Sequence, residues 1–331
     1  MTDIATIRAE LSSVPEVPDN SVEQGLLVPY FGAKPIYPAW ALAALDDAPE
    51  RSKVVVAGAA LEVLSWGKLG DPGVLLLHGN GASADWWSFL APLLAKSGYR
   101  VIALSFSGMG GSQWRDSYRM DTFISEILAI VQATNLSTHT HLPVLAGHSF
   151  GGFPALMAAL GHPDKIGGLI LLDTGIEPPG EEWTGPAKRT APNRVYDTLT
   201  EALARFRLAP PQPCDNHWAL DYIARTSLKQ VGGGWTWKFD PYLWNDFKFE
   251  RVSDVVKDLA VPTIVIRGSK SYLMADRIWR FMKSVLPAKT GYATIPEAAH
   301  HVMLDQPLAT LAALEAALAG LAILPNHRAQ G

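Results

Sequence analysis

Ser149 stands in Gly147-His148-Ser149-Phe150-Gly151-Gly152, the stretch of this chain best suited to nucleophilic chemistry. The apolar run Leu142-Pro143-Val144-Leu145-Ala146 before it reads as a short buried strand. The run Phe153 to Leu160 after it reads as a helix. Small residues at 147, 151 and 152 let the chain reverse sharply between the two, which lifts the serine hydroxyl clear of the sheet edge on a strained elbow. The helix N-terminus beneath it offers free backbone N–H groups and partial positive charge, where an oxyanion can be held. The competing reading is a glycine turn with an incidental serine. The strand-turn-helix frame weighs against it, because the pentapeptide G-x-S-x-G then sits where a nucleophile must sit.

A serine hydroxyl needs a positioned base, and a base from elsewhere in the chain needs a rigid scaffold. The chain has 331 residues, of which 48% are hydrophobic, enough for one large domain with a substantial insertion and a deep core. The formal net charge is -4 and no Lys/Arg-rich block occurs, so neither nucleic acid nor an anionic membrane is expected as a partner. Cys214 is the single cysteine, which excludes an intrachain disulfide and fits a reducing compartment. Neither a signal-peptide core nor a bilayer-length apolar run is present. The expectation is a soluble, cytoplasmic protein.

The scaffold follows from the alternation of apolar runs and helical patterns. Lys53 to Ala57 and Ala60 to Trp66 read as strands joined at Gly58. Gly73 to Leu77 is a strand running into His78-Gly79-Asn80-Gly81-Ala82. Ala84 to Lys96 reads as a helix, Arg100 to Leu104 as a strand, and Met120 to Thr134 as a helix. After the Ser149 unit come a strand at Gly168 to Asp173, a strand at Val261 to Arg267, a helix at Met274 to Val285, a strand at Tyr292 to Ile295 and a helix at Leu304 to Leu321. Such alternation implies right-handed crossovers and a mainly parallel sheet with both faces covered. Active sites of such sheets lie at the C-terminal strand ends.

Two stretches break the pattern. Residues 1–50 carry a possible short helix at Thr6 to Leu11, then prolines with Tyr30, Phe31, Tyr37 and Trp40 between them. This is an arm expected to pack on the main body or on a second subunit of a homo-oligomer. Residues 175–250 are rich in proline and tryptophan, with helices expected at Thr198 to Phe206 and His217 to Lys229. They read as a helical cap over the strand ends. Trp235, Trp237, Phe239, Tyr242, Trp244 and Phe247 either line an apolar site or form the cap's own small core. Residues 51–174 and 251–324 make the core domain. Gly232-Gly233-Gly234 lacks the Lys-Ser/Thr of a phosphate cradle, and His139-Thr140-His141 lacks the further ligands of a zinc site.

With three motifs in this order, the sequence resembles the α/β-hydrolase superfamily over roughly residues 53–321: His78-Gly79-Asn80, the Gly147–Gly151 elbow, and Ala299-His300-His301-Val302-Met303-Leu304-Asp305-Gln306-Pro307. The single insertion after the sixth strand resembles the branch of capped esterases, lactonases, epoxide hydrolases, dehalogenases and ring-fission C–C hydrolases. Serine at the elbow, where dehalogenases and epoxide hydrolases carry aspartate, argues against those two chemistries. The resemblance implies that His300 is the base that takes the Ser149 proton, with His301 its competitor. It also implies two oxyanion donors, the backbone N–H groups of Asn80 and Phe150, while His78 and His148 brace loops.

The acid that orients the base departs from the common pattern. Most family members place it three residues after a glycine ending the strand here read as Val261 to Arg267; that position is Ser271. A minority place it at the end of the preceding strand, which here is Asp173. A carboxylate ending an apolar strand needs partners to offset its desolvation, so Asp173 is the chosen acid and Asp276 the alternative. The expected function is hydrolysis of a small apolar or aromatic ester or lactone through Ser149, His300 and Asp173, without cofactor or metal. The alternatives are C–C bond hydrolysis next to a carbonyl and a non-catalytic ligand-binding protein on the same scaffold.

Overall fold

The computed structural model describes residues 25–180, 185, 188–249 and 251–323. The helix expected at Thr6 to Leu11 and the tail after Pro325 lie outside them. The strands are β1 (Glu50–Val56), β2 (Ala59–Trp66), β3 (Gly73–Leu77), β4 (Arg100–Leu104), β5 (Val144–His148), β6 (Gly168–Leu172), β7 (Leu228–Val231), β8 (Gly234–Trp237), β9 (Thr263–Gly268) and β10 (Gly291–Ile295). Eight of them form one sheet in the order β1-β2-β4-β3-β5-β6-β9-β10. The β1/β2 and β2/β4 pairs are antiparallel, and every pair from β4 to β10 is parallel.

The parallel strands are apolar runs because helices cover both faces. All residues of β3 and β6 are buried. The pleat sorts them between two cores. Val74 and Leu76 join Leu94, Leu314 and Leu318 on one face, while Leu75 and Leu77 join Phe123, Ile127 and Leu156 on the other. Two helices expected as continuous are broken. Ala84–Trp87 is a 3₁₀ turn before the helix Ala91–Lys96, and Val302–Asp305 is separate from Pro307–Ile323. In both cases a proline, Pro92 or Pro307, sits in the first turn of the second helix. There its missing N–H costs nothing, whereas in a helix interior it would break the hydrogen-bond ladder.

Between β6 and β9 the chain inserts the helices Leu199–Ala204 and His217–Thr226. The first begins with a capping box between Thr198 and Glu201. The insertion also contains the antiparallel hairpin β7/β8, so it is not purely helical. The glycine-rich stretch at 232–234 is the turn of that hairpin. The arm folds back on this insertion. Tyr30 Oη lies 2.8 Å from His217 Nδ1, Tyr37 donates to Asp221 at 3.0 Å, and Arg225 donates to the Gly32 carbonyl at 2.7 Å. Its run Ala39–Asp46, directly after Pro38, is a helix. Among the described residues no helix is long and apolar enough to cross a membrane.

Candidate active site

β5 runs into a 3₁₀ turn, Ser149–Gly151, and then into the helix Gly152–Gly161. Ser149 has φ of 52°. This left-handed conformation costs a non-glycine residue about 1–3 kcal/mol, and surrounding packing must hold it. Thr174 supplies part of that hold by donating to the Ser149 carbonyl at 2.9 Å. Gly151 supplies another part: a Cβ there would stand 2.5 Å from the His78 carbonyl oxygen. Only glycine lets the loop after β3 lie against the elbow.

The elbow, the end of β6 and the loop after β10 converge on one hydrogen-bonded chain. Ser149 Oγ lies 2.9 Å from His300 Nε2, and His300 Nδ1 lies 2.7 Å from Asp173 Oδ2. An ionised carboxylate only accepts, so Nδ1 carries the proton and Nε2 presents its lone pair to the serine hydroxyl. Asp173 is buried, with 1% of its surface exposed. It also accepts from the Gly268 N–H at 2.9 Å and from Ser271 Oγ at 2.5 Å. These partners offset the desolvation of a carboxylate at the end of an apolar strand. Ser271, at the position where the common pattern has an acid, therefore helps to hold the acid that stands opposite. Asp276 is elsewhere, at the start of the helix Asp276–Val285, exposed and paired with Arg267 at 2.9 Å. The loop carrying His300 closes tightly on β9: a Cβ on Gly268 would stand 2.3 Å from the Ala299 carbonyl oxygen.

The expected oxyanion donors belong to Phe150 and Asn80. Phe150 occupies the second position of the 3₁₀ turn, where the backbone N–H has no intrahelical acceptor. The loop bearing Asn80 lies against Ser149, since a Cβ on Gly79 would stand 3.2 Å from Ser149 Cβ. The Asn80 side chain accepts from Trp244 Nε1 at 2.8 Å, and the Trp244 ring meets Phe150 edge-on at 4.8 Å. The tryptophan-rich stretch thus divides. Trp244 and Phe247 pack on Phe150 beside the nucleophile, whereas Trp237 packs within the insertion on Tyr196 and Phe206.

The other histidines brace the site. His78 Nε2 accepts from the Phe106 N–H at 3.1 Å and its Nδ1 donates to the Gly79 carbonyl. His148 Nε2 donates to the His300 carbonyl at 3.0 Å. His301 turns away from Ser149. Its backbone N–H donates to Gln212 at 2.9 Å, its Nε2 faces the Pro210 carbonyl at 3.4 Å, and its ring lies against Trp86. Burial pushes His78 down to about 4. Burial, then the adjacent His300, pushes His148 down to about 3, so both stay neutral in the fold. Asp305, which accepts from the Ala299 N–H at 2.7 Å and from Gln212, is pushed up to about 6 by burial. Thr174 and Gln212 were not expected at the site from the sequence, and Trp244 was one of six aromatics left open between the site and the insertion's own core. Nothing in their local patterns distinguishes them.

The chain belongs to the alpha/beta hydrolase family, whose model matches residues 74–314. Among curated proteins it is similar to the esterase Rv0045c of Mycobacterium tuberculosis, 26% identical over 264 residues, covering 77% of this chain and 85% of that one. It is also similar to a human serine hydrolase-like protein, 37% identical over 127 residues, which covers 38% of this chain and 60% of that protein's length. Among solved structures, a thioesterase domain from the curacin biosynthetic pathway shares the fold, with TM-score 0.66 and 24% identity over 81% of this chain and 99% of that one. So does a structure of the Rv0045c esterase described together with its transition metal inhibition, with TM-score 0.64 and 21% identity over 85% and 98%.

Proposed function

We propose that this protein is a serine hydrolase that cleaves carboxylic esters through an acyl-enzyme. The observation that carries the reading is the unbroken hydrogen-bonded chain from Asp173 through His300 to Ser149. As Ser149 attacks the ester carbonyl, His300 Nε2 takes its proton, and Asp173 stabilises the imidazolium that forms. The backbone N–H groups of Asn80 and Phe150 hold the tetrahedral oxyanion. His300 then protonates the leaving alcohol. A water activated by the same nitrogen attacks the acyl-enzyme and releases the acid. No step calls for a cofactor.

Residues 175–250 act in this reading as a cap, and Trp244, packed on the buried Phe150 and Phe247, is the aromatic side chain left partly exposed beside the nucleophile. Lactones present the same carbonyl chemistry. The esterase among the relatives and the thioesterase among the structural neighbours support acyl transfer as the reaction class. The lack of an acid at 271 is the main argument for a non-catalytic protein, and the bond between Asp173 and His300 weighs against it. The test is labelling by a fluorophosphonate probe together with turnover of short p-nitrophenyl esters and lactones. Labelling confined to Ser149, and loss of turnover on the order of 10⁶ in Ser149→Ala, are expected. A folded protein that takes no label and turns over neither class refutes the proposal.

A further inference from the structure

Three imidazoles meet behind the nucleophile, and chemistry of the ester reaction uses only one of them. The ring centroids of His148, His300 and His301 lie 4.8–5.6 Å apart. One ring nitrogen from each falls within 4.8 Å of the others. All three side chains are buried.

Their hydrogen bonds follow a common rule. A metal-bound histidine donates one ring N–H to a carboxylate or carbonyl, which fixes the tautomer and leaves the second nitrogen for the metal. Each of the three has such an acceptor: Asp173 Oδ2 for His300 Nδ1, the His300 carbonyl for His148 Nε2, and the Pro210 carbonyl for His301 Nε2. The remaining nitrogen of His300 faces Ser149, while Nδ1 of His148 and Nδ1 of His301 are buried without any hydrogen-bond partner. Bare imidazole nitrogens kept from water are lone-pair acceptors with no donor to meet them, and a divalent zinc-class cation satisfies them.

We propose that His148, His300 and His301 form an inhibitory site for zinc or a similar imidazole-preferring divalent metal ion. The inhibition rests on the reading of Ser149 and His300 as nucleophile and base; the binding does not. Zinc bonds nitrogen at 2.0–2.1 Å in tetrahedral geometry, so bound donors stand roughly 3.3 Å apart. The rings must therefore draw together, and His301, with the longest of the three contacts at 3.4 Å, moves most easily. Coordination occupies the His300 lone pair that would take the serine proton. Asp173 keeps its bond to Nδ1, and the enzyme stays folded but idle until the metal leaves.

The experiment uses untagged, chelator-treated protein and zinc chloride alone, followed by calorimetry and ester turnover. The expected result is one zinc per chain, with turnover lost in step with occupancy and restored by chelator. His301→Gln keeps an N–H for the Pro210 carbonyl but loses the metal-binding nitrogen. It should bind zinc at least tenfold more weakly, the loss that even an outer partner of a metal site carries, with inhibition judged against the variant's own metal-free turnover. Ser149→Ala should bind zinc as the wild type does, and the double variant His139→Ala/His141→Ala, which removes surface histidines, should change nothing. If His301→Gln fails to fold, the wild type decides: saturating zinc should slow fluorophosphonate labelling of Ser149 at least tenfold. No binding, equal binding by His301→Gln, or undiminished labelling overturns the site. Zinc binding by a protein that turns over no ester would instead uphold the site and refute the hydrolase reading.

Discussion

Replacing Asp173 by asparagine changes one atom at the centre of the site, and its effect follows from the bonds already described. The carboxylate accepts from His300 Nδ1, the Gly268 N–H and Ser271 Oγ. An asparagine oxygen turned to Gly268 keeps that bond. Its amide NH₂ then faces His300, which must present a lone pair at Nδ1 and carry its proton on Nε2. Nε2 can no longer take a proton from Ser149. The expected loss in kcat is about 10⁴, or about 5.4 kcal/mol of transition-state stabilisation. Folding should change little, because the shape is kept. Asp173→Ala, by contrast, leaves three buried donors without their acceptor, at about 1–3 kcal/mol for each that stays unpaired. Asp276→Asn should stay within about twofold of wild type, since it disturbs only an exposed ion pair. The assay is steady-state turnover of a p-nitrophenyl ester, with the fluorophosphonate labelling rate as a second readout. A second substitution tests the geometry. Ser271 Oγ lies 2.5 Å from Asp173 Oδ2, so Ser271→Asp placed on Asp173→Asn should recover at least about tenfold of the lost rate by bringing a carboxylate back to His300. Activity of Asp173→Asn within tenfold of wild type would refute the assignment of the acid.

Two further outcomes follow from the same structure. Trp244→Phe keeps the ring on Phe150 but removes the donor to Asn80, so kcat/KM should fall by about fivefold, the worth of one neutral hydrogen bond. A cycle with Asn80→Ala should show little added loss in the double variant, and full additivity would mean that the bond does not position the oxyanion loop. The stability of the fold should also fall in acid. His78 and His148 are held neutral by burial, with folded values of about 4 and 3, while the unfolded chain takes up protons below about pH 6.5. Below that pH each contributes a loss of up to about 1.4 kcal/mol per pH unit until its folded value is reached. Urea midpoints measured from pH 7 to pH 5 should decline, and a flat series would show that the buried rings do not govern the acid limb.

The site was legible in the sequence wherever local chain geometry and chemistry coincide. Ser149 between an apolar run and a helix could be recognised because the turn itself demands small neighbours. Asp173 could be singled out because a carboxylate on an apolar strand needs partners, although those partners, Gly268 at the end of β9 and Ser271 in the loop after it, could not be read from its own surroundings. At Ser271 the spacing was read correctly and interpreted as a gap, whereas the hydroxyl fills the role of a hydrogen-bond donor to the acid across the strand pair. The insertion was least legible. Its hairpin β7/β8 is made of short four-residue strands, too brief for periodicity to separate them from loop. The helix Ala39–Asp46 was hidden by the prolines around it. The partition of the aromatic stretch between elbow and insertion depends on tertiary packing alone.

Two of the three groups proposed to react follow directly on neighbouring strands. His148, immediately before Ser149, pairs with Leu172, immediately before Asp173, and Thr174 bonds back to the serine's own carbonyl. Alcohol and carboxylate are therefore fixed in a single ladder of the sheet, and remodelling of the long excursion that begins just beyond them leaves their separation untouched. Only the imidazole arrives on a connection outside that ladder. A change to that connection would therefore alter the imidazole's place without disturbing the spacing of alcohol and carboxylate.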